Sequence, residues 1–133
     1  MKPKKISHVG IAVNDLDAII RIFEEKLGLQ CTSRKKVEDQ GIEVAVIPIG
    51  DSSLEFLKPL NPDSPVGKFI DKKGPGLHHV SLEVDDIQGW IEKLQDRGAE
   101  MVDKKPRTGA RGCSIAFVHP KSLGGILLEL EEE

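Results

Sequence analysis

One stretch of this chain is written twice. His79-Val80-Ser81-Leu82-Glu83-Val84-Asp85-Asp86-Ile87 has the pattern of His8-Val9-Gly10-Ile11-Ala12-Val13-Asn14-Asp15-Leu16, at an offset of 79 − 8 = 71 residues. Each copy is a histidine, a short alternating strand, an acidic or amide turn, and then a helix. Ile19, Ile22, Phe23, Leu27 and Gly28 follow in the first copy, and Ile87, Trp90, Ile91, Leu94 and Gly98 in the second. Self-similarity at a fixed period marks a duplicated supersecondary unit. The chain has 133 residues, the size of one ordinary domain. A unit of about 60 residues is marginal alone, so the two copies are expected to share one core as a single domain, 1–133.

Taken in order, Ile6 to Val13 reads as a strand, with His8, Gly10 and Ala12 on one face and Val9, Ile11 and Val13 on the other. Small residues beside the histidine leave room for a ligand. Asn14 or Asp15 can cap the helix that follows, and Gly28 can end it. Leu29 to Val37 reads as a strand, Glu38 to Gly41 as a turn, Ile42 to Ile49 as a strand, Gly50 to Ser53 as a hairpin turn and Leu54 to Leu57 as a strand. Module one, about residues 5–58, is therefore β-α-β-β-β. Prolines and glycines mark 59–76 as a linker, with a short helix over 66–72 that opens on Ser64-Pro65. Module two, about 77–131, repeats the order: a strand at 77–84, a helix at 86–97, and strands near 99–103, 113–118 and 125–130. Glu131-Glu132-Glu133 reads as a solvated tail. The fold class is α+β, two tandem βαβββ modules.

Hydrophobic residues are 38% and charged residues 31% of the chain, a globular mix. A net charge of −3 gives no basic footprint for nucleic acid. No run approaches a membrane-spanning length, and the basic Met1 to Lys5 runs straight into a strand, so no signal peptide is expected. Two cysteines, Cys31 and Cys113, make neither a disulfide framework nor a zinc ribbon, so the cytoplasm is the expected compartment.

Four residues stand out by their place in the repeat. His8 and His79 open the first strand of each module, and Glu55 and Glu129 lie in the last, at an offset of 129 − 55 = 74 residues. Taken singly, a histidine at a strand start is structural and a glutamate in a terminal strand is solvated. As a symmetric set, two imidazoles and two carboxylates suit a divalent metal with open positions for substrate. His78 is adjacent to His79 and faces the other way, which leaves it packing or a role supporting the ligands from behind. His119 has no counterpart in module one. Two basic groups, Arg34-Lys35-Lys36 and Lys104 to Arg111, are solvated faces or a landing site for substrate phosphates. Neither a phosphate loop nor a nucleophile elbow is present.

These residues resemble the vicinal oxygen chelate superfamily, which includes glyoxalase I, and within it the chain is similar to the methylmalonyl-CoA epimerases. The similarity is carried by Ser7 to Val13, Asp39-Gln40-Gly41, Leu54 to Leu60, Pro62 to Val66, Gly76-Leu77-His78-His79-Val80, and His119-Pro120-Lys121-Ser122 through Leu128-Glu129-Leu130. The resemblance implies one curved mixed sheet around a metal-binding cleft, with His8, Glu55, His79 and Glu129 as metal ligands. It implies a divalent ion, cobalt first, with manganese, nickel, zinc or magnesium as alternatives. It also implies a homodimer and the epimerisation of methylmalonyl-CoA at its α-carbon, through a metal-stabilised enolate with Glu129 as one acid/base. Some members carry the second acid/base three places past the Gln-Gly turn. That position is Val44 here, and Glu43 is the nearest carboxylate candidate. Rival readings are a glyoxalase-type lyase acting on a hemithioacetal, an extradiol dioxygenase-like oxygenase, disfavoured by the absence of tyrosine, and a metal-free binding module of the same fold.

Overall fold

The computed structural model describes residues 1–133. Its elements in chain order are β1 (Lys5–Ala12), α1 (Leu16–Leu27), β2 (Ser33–Val37), β3 (Ile42–Ile49), β4 (Ser52–Pro59), α2 (Pro65–Lys73), β5 (Gly76–Glu83), α3 (Ile87–Asp96), β6 (Arg107–Thr108), β7 (Ser114–Val118) and β8 (Leu128–Glu132). Short 3-10 turns lie at Glu38–Gln40 and Pro120–Ser122. The chain forms two compact units, His8–His78 and Met1–Ser7 with His79–Glu133. The βαβββ order is present in both copies.

In the unit His8–His78 the strand order is β2-β3-β4-β1. β1 runs parallel to β4, and the β2–β3 and β3–β4 pairs are antiparallel. Helix α1 supplies the crossover that a parallel pair requires. Asp15 starts it by accepting from the Ala18 N–H at 3.1 Å, and Gly28 ends it at a φ of 67°. The helix packs Leu16, Ile19, Ile20 and Phe23 on Ala45, Ile47 and Phe56 of the sheet. Phe23 meets Phe56 edge-on with ring centres 5.0 Å apart. Ile22 and Leu27, expected on this face, are exposed; at about 100° per residue Ile22 falls to the side of the Leu16–Ile19–Phe23 stripe, and Leu27 is the last residue of the helix, next to the Gly28 cap. The segment 59–76 belongs to this unit, and Ser64 caps α2 by accepting from the Gly67 N–H at 3.1 Å.

In the other unit the order is β5-β8-β7-β6, with β5 parallel to β8 and the other pairs antiparallel. Its core is Val84, Ile87, Ile91, Met101, Ala116, Val118 and Leu130. Asp86 caps α3 from a left-handed φ of 53°, accepting from the Gly89 N–H at 3.1 Å. A Cβ at Gly89 would lie 2.3 Å from the Asp86 carboxylate, so a larger residue there would make the capping side chain shift.

Two sequence expectations are corrected in this unit. The strand near 99–103 is a single bridge, Met101 with Val118. The Asp103 carboxylate accepts from the Phe117 N–H at 2.8 Å, and Lys104-Lys105-Pro106 then leaves the sheet, so the paired strand is only Arg107–Thr108. The Glu131-Glu132-Glu133 ending is no solvated tail. β8 runs to Glu132, and Glu131 is 2% exposed, between Glu83 of β5 and Ile115 of β7.

Phe56→Ala should open a cavity beneath α1 and cost about 3–5 kcal/mol of stability, read from the urea midpoint.

Candidate metal and substrate site

The parallel ladder between β1 and β4 sets His8 opposite Ser53 and Gly10 opposite Glu55. Cross-strand partners share a face and alternate residues oppose it, so His8, Gly10 and Glu55 project from the side of the sheet away from α1. His8 and Glu55 are each 3% exposed, and His8 Nδ1 lies 3.1 Å from Glu55 Oε2. Gly10 adds no side chain beside the carboxylate. One buried imidazole and one buried carboxylate thus form a pair inside the unit His8–His78.

The second unit builds the same pair from β5 and β8. His79 and Glu129 are buried, and their donor atoms lie within 4.8 Å of each other. Ser81 and Phe117 are the strand neighbours of Glu129. The Phe117 ring stands edge-on to His79 at 5.4 Å, which fixes the imidazole plane. Ser81 is fully buried, with a hydroxyl that has no hydrogen-bond partner. A buried hydroxyl left so costs free energy unless a ligand satisfies it.

The same face continues into a polar cluster that sequence reasoning missed. Glu131 lies two residues beyond Glu129 and so shares its face. Ser7 Oγ donates to Glu131, and the Arg111 guanidinium lies 3.2 Å from it. Glu83, across from Glu131, is 3.4 Å from Lys4. The signal in the sequence was the alternation Glu129, Glu131, read instead as a terminal charge run. Cys113 sits nearby, and burial pushes its thiol pKa up, with the charge of Glu131 adding to the effect.

The remaining candidates are placed as follows. Glu43 is a correction: it pairs across the sheet with Lys58 and Lys36, on the face that carries Ala45 and Phe56. There its carboxylate lies 3.4 Å from Arg34, which also pairs with Asp17 of α1. A residue one place from Val44 points through the sheet, and the structure does not bring Glu43 to the side of Glu55. Within the trio, the hydrogen bond from Arg34 holds the Asp17 carboxyl below its usual range. His78 packs edge-on to Phe69 of α2 at 4.8 Å, a packing role. His119 caps the turn Pro120–Ser122, its Nδ1 accepting from the Lys121 N–H at 3.1 Å.

Arg111→Met removes a cationic partner from buried Glu131 and should lower unfolding stability by about 1–3 kcal/mol in urea titrations. Arg111→Lys should recover part of the loss.

Residues 7–117 match the family described as the Glyoxalase/Bleomycin resistance protein/Dioxygenase superfamily. An ethylmalonyl-CoA/methylmalonyl-CoA epimerase of Cereibacter sphaeroides is 35% identical over 96% of this chain and 97% of its own. The crystal structure of methylmalonyl-CoA epimerase from Mycobacterium tuberculosis superposes with a TM-score of 0.93 at 34% identity, over 98% of this chain and 88% of the other. A methylmalonyl-CoA epimerase solved with methylmalonyl-CoA and ammonium gives a TM-score of 0.95 at 33% identity, over 99% and 96% of the two chains. The glyoxalase-like fold that the resemblance implied is therefore the fold of this protein. The chain belongs to the Glyoxalase/Bleomycin resistance protein/Dioxygenase superfamily, among the relatives of the methylmalonyl-CoA epimerases.

Proposed function

We propose that this protein epimerises methylmalonyl-CoA at its α-carbon, and that His8, Glu55, His79 and Glu129 together hold one divalent cation. The observation that carries the proposal is the matched burial of a His/Glu pair on one sheet face in each unit. Full-length similarity to epimerases supports the choice of substrate. The donor set fits such an ion: imidazole and carboxylate suit cobalt, manganese, nickel and zinc, with cobalt(II) our first choice. Four protein ligands leave coordination positions for substrate.

A divalent ion at these residues supplies Lewis acidity toward the substrate's thioester and carboxylate oxygens. The residues of the chain do the rest. Glu129 takes the α-proton, whose acidity comes from the two flanking carbonyl carbons, and an enolate results. Return of a proton to the opposite side of that carbon completes inversion. Phe117 packs edge-on to His79 and holds the imidazole in one orientation, so this ligand is prepared before substrate arrives. We further propose that the protein acts as a homodimer in the cytoplasm, by resemblance to the family. No helix is long and apolar enough to cross a membrane.

The experiment is proton NMR of methylmalonyl-CoA in D2O with cobalt-loaded protein, beside a chelator-treated sample. Loss of the α-proton signal far above the spontaneous rate, abolished by the chelator, is the expected result. His79→Ala and Glu129→Ala should each lower bound metal, measured by elemental analysis, and slow exchange by about a hundredfold or more. Folded, metal-loaded protein with no exchange would sink the epimerase reading and direct the search to hemithioacetals.

A further inference from the structure

The two His/Glu pairs are equivalent in strand register, and they differ at one position. In the unit His8–His78, Gly10 stands two residues past His8 and pairs across the parallel ladder with Glu55. In the other unit, Ser81 stands two residues past His79 and pairs in the same way with Glu129. The offset of 81 − 10 = 71 residues is that of the two histidines. One glutamate therefore has bare backbone beside it, and the other has a hydroxyl. Ser81 is 0% exposed, and its Oγ makes no hydrogen bond. A buried hydroxyl left so opposes folding, and alanine would fill nearly the same space without that cost.

We propose that Ser81 is a positioning residue for Glu129: its hydroxyl donates to the Glu129 carboxylate when that carboxylate holds the cation, and fixes the plane in which it is presented. The proposal rests on the metal assignment and the epimerase reading above. There Glu129 is both a ligand and the group that takes the α-proton, whereas Glu55 is a ligand only. The last torsion of a glutamate is soft and roughly two-fold, so a carboxylate with two tasks gains from a neighbour that sets its rotation. Carboxylates that bind metals are in general held by such outer hydrogen bonds.

Within this unit Ser81 is the neighbour equipped to do so. Phe117, the partner of Glu129 on the other side, offers a ring. Glu131, two residues further along β8, offers a second carboxylate. Neighbouring strands lie about 4.8 Å apart, so a serine hydroxyl and the carboxylate of its partner reach hydrogen-bond distance by a change of rotamer. The nearby carboxylates that could compete for the Ser81 proton are already served: Glu83 lies 3.4 Å from Lys4, and Glu131 receives Ser7 Oγ and Arg111. A carboxylate has about four acceptor positions, so a bond from Ser81 leaves room for the ion and for the α-proton.

The test compares wild type, Ser81→Ala and Ser81→Thr, each checked for folding by circular dichroism. Three quantities are read: the urea midpoint of chelator-treated protein, the cobalt(II) affinity by equilibrium dialysis with elemental analysis, and α-proton exchange of methylmalonyl-CoA in D2O at saturating cobalt. The metal-free midpoint of Ser81→Ala should equal or exceed that of wild type. Its cobalt affinity should nevertheless fall about ten- to a hundredfold, and its exchange should slow by about tenfold or more. Ser81→Thr keeps the hydroxyl and should regain most of the affinity. Three results would overturn the proposal: wild-type cobalt affinity in Ser81→Ala, a lowered metal-free midpoint in Ser81→Ala, which would make the hydroxyl a structural group, or no recovery of affinity in folded Ser81→Thr. Wild type that binds no cobalt overturns the metal assignment and this proposal together, and is recognised before any substitution is made. Wild type that binds cobalt but exchanges no α-proton overturns the epimerase reading alone, and the cobalt affinities then still decide the role of Ser81.

Discussion

Everything at the candidate site depends on one hydrogen-bonding choice, the parallel pairing of the first and last strands of each module. A parallel pair cannot be joined by a tight turn, so the chain must leave the sheet and return. Here it leaves through a helix and returns after two further strands. The strand that opens a module and the strand that closes it thus become neighbours. A histidine placed in one and a glutamate placed in the other stand on one face with no loop to position them. In β1 and β4 this sets His8 beside Glu55 at 3.1 Å. In β5 and β8 it brings the donor atoms of His79 and Glu129 within 4.8 Å.

The two faces of each sheet answer to different physics. One is covered by a helix and is apolar: Phe56, Ala45 and Ile47 under α1, and Val118, Ala116 and Leu130 under α3. That burial supplies the stabilisation. The other face holds His8, Glu55, His79, Ser81, Glu83, Glu129 and Glu131, all buried. Ionisable groups out of water oppose folding unless they are paired. Some of the compensation is visible in Ser7, Lys4 and Arg111 around Glu131 and Glu83.

The repeat made the architecture legible because His8 and His79 carry the same neighbours at a constant offset. The ligand candidates were legible for the same reason. What escaped was whatever depended on pairing register. Glu43 and Val44 are adjacent letters, and only the β3–β4 ladder shows that Glu43 turns toward α1. Arg34, Lys35 and Lys36 were read as three consecutive cations, although alternation puts Arg34, with Asp17 and Glu43 beside it, and Lys36 on one face and Lys35 on the other. Glu131 was hidden by its charged neighbours, since three glutamates at a terminus look solvated until Arg111, some twenty residues earlier, is brought beside one of them. The strand expected near 99–103 failed because its hydrogen-bond partners are taken by the Asp103 side chain and by isolated backbone contacts.

The boundary between the compact units falls at Ser7/His8 and again at His78/His79, so the first seven residues belong with the C-terminal half of the chain. The ancestral duplication is therefore no longer a pair of separable cassettes. A fragment cut in the proline-rich segment after β4 would carry β5 to β8 without Lys4 and Ser7, leaving Glu83 and Glu131 short of partners. The complementary fragment would carry a free N-terminal strand end. Reassembling the protein from two pieces would call for a permuted chain, in which Met1–Ser7 is joined behind Glu133, rather than for a simple split at the linker.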